Sequence, residues 1–324
     1  MEINAGICGN FPRPPELRKA LDELSSGKID EKELNRVFKL SMRKIVELQE
    51  ENGLNPVTSG LLLWHDPLRP FAESFSGVQL GGLLRFFDNN FYYRRPIITG
   101  PIKREKPITV EEVGELSQIA KTQVKAVLPG PYTFLKLSEN KFYQSEDQLI
   151  DDLIEALAAE IEDLNGLADI IQVDEPSLVD PELSLEERRK GVEVVKELIG
   201  KLRVPSDRLI VATYFNLDPD SYSILLDLKT GLHLDLCSSR DKAEEALREY
   251  GFKGSILSLG IVDSRSIFPE TPAEMAGKTR KILEKTSAEK VMISTSSWLD
   301  YLPFNEAVEK LRILGRTLRE VASS

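Results

Sequence analysis

Short apolar runs rich in β-branched residues recur along this 324-residue chain, and nearly every gap between them carries a helical pattern. Bounded by turn residues, eight such runs read as strands: 3–8, 57–64, 124–128, 169–173, 209–213, 232–236, 255–259 and 290–294. Residues 147–164 show the helical half of the alternation. There Leu149, Ile150, Leu153, Ile154, Leu157, Ala158 and Ile161 recur at spacings of three and four, which leaves Asp151, Asp152, Glu155, Glu160 and Glu162 for water. The same spacing predicts helices at 33–51, 185–202, 240–250, 272–285 and 305–321. Alternating strands and helices imply an α/β chain with a mostly parallel sheet. Eight units predict a single (β/α)8 TIM barrel over residues 1–324. Neither G-x-G-x-x-G after the first strand nor G-x-x-x-x-G-K-[ST] occurs, so an open nucleotide-binding sheet has no support. The interval 66–122 exceeds one crossover and predicts an insertion between strands 2 and 3, with a hairpin at 96–102 and an extra helix.

Composition removes several function classes. Hydrophobic residues make up 41% and charged residues 29%, a balance that supports a folded core rather than a disordered chain. No apolar run approaches the roughly 18 residues of a membrane helix; the run Leu61–Leu62–Leu63–Trp64 stops at His65. The first residues carry no signal-peptide pattern, and Cys8 with Cys237 cannot make a disulfide framework, so a cytoplasmic protein is expected. A net charge of −11 argues against nucleic acid and acidic membranes as partners. The charge is uneven, however. Residues 1–110 hold 16 Lys+Arg against 14 Asp+Glu, and six of those bases fall between Arg85 and Lys106. Such a patch either attracts a small anion or is simply solvated.

In a barrel the active face is built from loops at the strands' C-terminal ends. Those ends carry Arg13, Asp66, Asp174, Glu175, Tyr214, Asp235, Cys237 and Arg265. Asp174–Glu175 reads as a catalytic pair or as a helix cap. Alternate strand residues share a face, so His233, Asp235 and Cys237 could begin a zinc site. That site would need a further ligand or water, and only His65 and Cys8 remain as additional His or Cys donors.

Several segments carry a family resemblance. Gly9-Asn10-Phe11-Pro12-Arg13-Pro14-Pro15-Glu16-Leu17-Arg18-Lys19 resembles the opening of cobalamin-independent methionine synthase. So, in the same order, do the segments Gln172–Leu178, Ala212–Phe215, Gly231–Leu236 and Leu257–Arg265, which resemble the N-terminal barrel of that two-barrel family. The resemblance implies methionine biosynthesis and a methyltransferase setting, of the 5-methyltetrahydrofolate or methylcobalamin–homocysteine type. In the family the C-terminal barrel holds zinc on one His, two Cys and one Glu and activates homocysteine. Laid on this chain, that pattern falls on Asp235 and Cys237 and near Ser297, so most of the ligands are missing. The resemblance therefore implies a non-catalytic barrel without a cofactor of its own, beside a separately encoded catalytic barrel as partner. It also implies substrate-binding roles for Arg13, Arg18, Lys19, Asp66, Arg85, Tyr214 and Asp235 toward an anionic methyl donor such as a folate. Two alternatives stay open. One is a self-sufficient methyltransferase with zinc on His233, Asp235 and Cys237, where Asp174, Asp235 and Cys237 would be catalytic; the other is a small-anion binding protein.

Overall fold

In the computed structural model, which describes residues 2–323, ten strands make two sheets. They are β1 (Glu2–Gly6), β2 (Phe75–Arg85), β3 (Tyr92–Arg104), β4 (Lys125–Pro129), β5 (Glu139–Asn140), β6 (Ile170–Asp174), β7 (Leu209–Thr213), β8 (Gly231–Asp235), β9 (Ile256–Val262) and β10 (Lys290–Thr295). Seven form one parallel sheet in the order β1-β10-β9-β8-β7-β6-β4. The first strand of the chain thus lies beside the last, as in a sheet curling on itself. Helices alternate with these strands and end close to where the periodicity places them, for example at Glu146–Leu164, Leu185–Lys201 and Phe304–Ala322. The helix Pro15–Ser25 escaped the strand-and-helix reading, although Pro at its first position and buried Leu17 and Ala20 mark it.

The predicted second strand, 57–64, needs correction. Val57 makes one parallel bridge to Val124, flanked by Asn55 N to Ala5 O at 2.7 Å and Lys125 N to Val57 O at 2.9 Å. Beyond it the chain turns away, with Gly60 at φ 80° and Leu61 at φ 49°. A side chain replaces the strand ladder there. Gln49 donates from Nε2 to Thr58 O at 2.8 Å and accepts from Thr58 N at 3.0 Å, so both backbone groups are satisfied without a neighbouring strand.

The insertion exists, but its hairpin is longer than predicted. β2 and β3 pair antiparallel from Phe75↔Arg104 to Arg85↔Tyr92, and the turn is residues 86–91. Residues 96–102 lie inside β3 rather than forming a hairpin. Pro96 sits opposite Leu80 beside a register shift, where a missing N–H is tolerated. Helices Arg69–Ser74 and Val110–Ile119 flank the hairpin.

Most buried apolar side chains form one continuous cluster between sheet and helices. Leu153, Ile154, Leu157 and Ile161 are fully buried from helix Glu146–Leu164, each worth about 1.5–3 kcal/mol. Glu160 breaks the predicted pattern, because it is buried rather than solvated. Its carboxylate accepts Thr109 N at 2.6 Å, Thr109 Oγ1 at 2.7 Å and Arg104 Nε at 2.6 Å, clamping the insertion onto the barrel helix. Helix Phe304–Ala322 packs so closely that a Cβ on Gly315 would stand 2.0 Å from Asn52 O. The obstacle is backbone and cannot rotate away. Gly315→Ala is therefore expected to cost about 1–3 kcal/mol, read as a lower urea midpoint with an unchanged slope; wild-type stability would contradict the packing.

Candidate functional site

Two clefts open near the C-terminal ends of the strands. The larger, about 520 Å³, is lined by Phe87, Asn89, Tyr214, Phe215, Asn216 and Arg265 among others. Its wall is conformationally strained: Phe215 has φ 80° and Phe87 φ 54°, values that side chains other than glycine seldom adopt. The two rings lie 5.7 Å apart, and the Arg265 guanidinium sits 5.4 Å from the Phe215 ring centre. Asp235 holds this wall from behind. Its Oδ2 accepts Phe215 N at 2.9 Å and the Ser238 hydroxyl, while Oδ1 accepts Cys237 N at 2.8 Å and Ser238 N at 3.0 Å. Ser238 Oγ in turn accepts from Arg265 Nη2, and Arg265 Nη1 donates to Asn89 Oδ1 at 2.9 Å.

The smaller cleft, about 240 Å³, lies between the loops after β1 and β10, where Arg13, Arg18, His65 and Asp300 meet Phe91 and Phe304. Arg13 is anchored by Nε to Leu62 O at 2.6 Å and by Nη2 to Trp64 O at 2.8 Å.

The seven substrate-binding candidates therefore do not converge. Arg13 and Arg18 share the small cleft and Tyr214 lines the large one, with Asp235 behind its wall. Asp66 is buried and caps backbone, accepting Leu68 N at 3.0 Å, Arg69 N at 2.9 Å and Arg94 N at 3.1 Å. Arg85 folds over its own turn, onto Asn89 O at 3.2 Å and Asp88 at 3.2 Å. Lys19 is exposed beside Glu23 at 3.7 Å.

Beneath the clefts runs a buried polar network. Asp174 accepts Gln172 Nε2 at 2.7 Å, Trp298 Nε1 at 2.9 Å and Tyr214 OH at 3.1 Å. Burial raises it to about 6. Glu175 faces a different way. It accepts Tyr132 N at 2.9 Å, Thr133 N at 2.7 Å and Thr133 Oγ1 at 2.6 Å, and burial raises it to about 7. The two carboxylates are thus separately engaged, and neither lines a cleft. Lys125 and Asp300 were not singled out in the sequence. A lysine opening the apolar strand Lys125–Pro129 was the one available signal for the first.

The residues do not fit a zinc ion. Among the described residues no three His, Cys, Asp or Glu side chains converge as a metal site, and the relevant donors are already held. His233 Nε2 must donate to the Ser296 carbonyl at 3.2 Å, so Nδ1 accepts from the Ser258 hydroxyl at 2.8 Å. Cys237 Sγ donates to Gly260 O at 3.4 Å, and burial pushes its thiol far above the ordinary range. Ser297 Oγ lies 2.6 Å from Ser264 Oγ.

Residues 77–287 match the family described as cobalamin-independent synthase, N-terminal domain. A methionine synthase from Saccharolobus solfataricus is 30% identical over 315 residues, which cover 94% of this chain and 90% of that relative. The chain belongs to the cobalamin-independent methionine synthase family. A methionine synthase from Sulfolobus acidocaldarius is 28% identical over 316 residues, covering 94% and 88%. In fold, this family member resembles a B12-independent methionine synthase from Shewanella sp. W3-18-1 in complex with selenomethionine, at TM-score 0.82 and 20% identity, with 100% and 98% covered. It also resembles a putative one from Listeria monocytogenes, at TM-score 0.76 and 20% identity, with 99% and 98% covered. Family membership supports a place in methionine biosynthesis. No helix among the described residues is long and apolar enough to cross a membrane.

Proposed function

We propose that this chain is a non-catalytic barrel that assists methyl transfer to homocysteine by a separately encoded zinc-bearing barrel. One observation carries the reading. At the positions where the resemblance lays thiolate-activating ligands, the chain has Asp235, Cys237 and Ser297, and each is consumed by internal hydrogen bonds. Without a metal beside it, Cys237 stays a thiol at neutral pH and so is a poor nucleophile. What the chain offers instead is a shaped rim: the aromatic wall around Phe215, the Arg265 guanidinium and the arginine-lined small cleft. An anionic methyl donor such as a folate would meet those cations.

A second reading is favoured by relatives of nearly the same length that are themselves named methionine synthase. It makes the chain a self-sufficient methyltransferase. Reconstitution separates the two. The purified chain, added to a zinc-bearing single-barrel methionine synthase, is expected to raise turnover with homocysteine while containing no stoichiometric zinc of its own. No gain at saturating chain sinks the proposal. Turnover by the chain alone, with zinc lost in Cys237→Ala, establishes the second reading.

A further inference from the structure

An apolar groove on the outer helical layer takes no part in the proposed methyl transfer. It is about 380 Å³ in volume and lies between helix Glu31–Glu51 and helix Val110–Ile119. Glu31, Leu34, Asn35 and Phe38 form one wall at helical spacing, and Ile108, Glu111, Glu112 and Glu115 form the other. Leu24 and Leu63 complete the lining, and Leu63 is left 36% exposed. From residue 31 to residue 38 the first wall runs about 10 Å, two helical turns. A charged-rimmed apolar groove of that length is the seat of a third helix, anchored at i, i+3 or i+4, and i+7.

The rim carries one sign. Its ionisable side chains are glutamates, and among the described residues no lysine or arginine lines it. Glu112 is engaged, accepting from the Ser59 hydroxyl and from Trp64 Nε1 at 3.2 Å, and Glu115 pairs with Lys39. Glu31 and Glu111, on opposite walls, are exposed and form no ion pair among the described residues. Each sits in a first helical turn, where an acid is favourable by itself. That preference does not account for the apolar floor between them. We infer that the groove docks an amphipathic helix of a partner protein, with its apolar stripe on Phe38 and Leu63 and with lysine or arginine on both flanks facing Glu31 and Glu111. Such an occupant bears on the small cleft from behind, because Leu63 stands between Leu62 and Trp64, whose carbonyls hold Arg13. The groove lies apart from both strand-end clefts, so the inference stands whether or not the methyl-transfer reading does.

Titration calorimetry on the intact chain tests it with three peptides of about 14 residues, roughly 20 Å of helix. One places leucines in a helical stripe with lysines elsewhere; another has the same composition in an order that breaks the stripe; the last keeps the stripe and replaces lysine with glutamate. The first is expected to bind at least about tenfold tighter than the second, and the glutamate peptide to show no saturable binding. Leu63→Gln should weaken the first peptide about fivefold and Glu111→Lys about tenfold. Both positions are exposed, so if one variant fails to fold the other decides. Leu40→Gln, exposed on the same helix but outside the groove, should leave the affinity unchanged. Equal binding of the first two peptides would reflect only attraction to an acidic protein and overturns the inference. So do affinity that survives both groove variants, an equal loss in Leu40→Gln, and no binding at all. Sedimentation of the chain alone checks the choice of occupant: self-association abolished by Leu63→Gln gives the groove to a second copy and overturns the inference as well.

Discussion

Lys125→Met will destabilise the protein by about 3–5 kcal/mol, the usual cost of removing one member of a buried charged network. Lys125 opens β4 at 1% exposure, with its ammonium inside the barrel. Its three N–H groups have three acceptors: Ile7 O at 2.7 Å, Gln172 Oε1 at 2.7 Å and Cys8 O at 3.1 Å. Gln172 passes the link on, donating to Cys8 O at 2.7 Å and Asp174 Oδ1 at 2.7 Å. Methionine keeps the length and the apolar stem, so the loss reports the polar contacts rather than a cavity. Ile7 O and Gln172 Oε1 would lose the ammonium, Cys8 O would keep only Gln172 Nε2, and Asp174 would lose the cation that moderates its charge. Burial lowers Lys125 to about 8. Between pH 8 and the ordinary 10.5 the unfolded chain binds more protons at this position than the folded one. Stability attributable to Lys125 therefore rises with pH across that window, and the rise should vanish in the variant. Urea unfolding at pH 7 and pH 9.5 measures both effects. A loss below about 1 kcal/mol at pH 7 would show that the network closes without the ammonium.

The same residues show what a sequence can and cannot disclose here. Strand and helix alternation was legible because burial of one face imposes a period, and helix Glu146–Leu164 keeps it almost throughout. The exceptions share a cause: polar groups whose partners are remote in sequence. Glu160 reads as a water-facing acid until Thr109 and Arg104 reach it from the insertion. The strand expected at 57–64 dissolves because Gln49, on a preceding helix, satisfies the backbone of Thr58. At the candidate site, position on a strand end was readable for Tyr214, Asp235 and Arg265, but side-chain duty was not. Asp66 and Asp235 sit where a ligand would be expected and spend their oxygens on backbone N–H groups. Asp300, six residues past the predicted strand 290–294, carried no signal in the sequence, and only the fold shows that its Oδ1 is buried without a partner.

His233 should make the fold acid-sensitive in a way that identifies its duty. Burial, then the nearby Lys125 charge, lowers the imidazole to about 3 from the ordinary 6.5, so the folded protein holds it neutral. Between those values the unfolded chain binds the extra proton and the native chain does not; stability is present above pH 6.5 and is lost as pH falls toward 3. From pH 7 to pH 5 the wild type should lose about 2 kcal/mol more than His233→Gln, since one pKa unit is about 1.4 kcal/mol. Taking the difference between the two proteins cancels the surface carboxylates, which titrate alike in both. Chelator then discriminates between explanations. A histidine held neutral by the Ser258 hydroxyl and the Ser296 carbonyl keeps its acid sensitivity in EDTA, whereas a zinc-ligating one resists protonation only while metal is bound. A wild-type pH slope that collapses on chelation would return His233, Asp235 and Cys237 to the role of metal ligands and undo the reading of this barrel as a partner without its own zinc, whereas a slope that is flat from the start would show that burial does not hold the imidazole neutral.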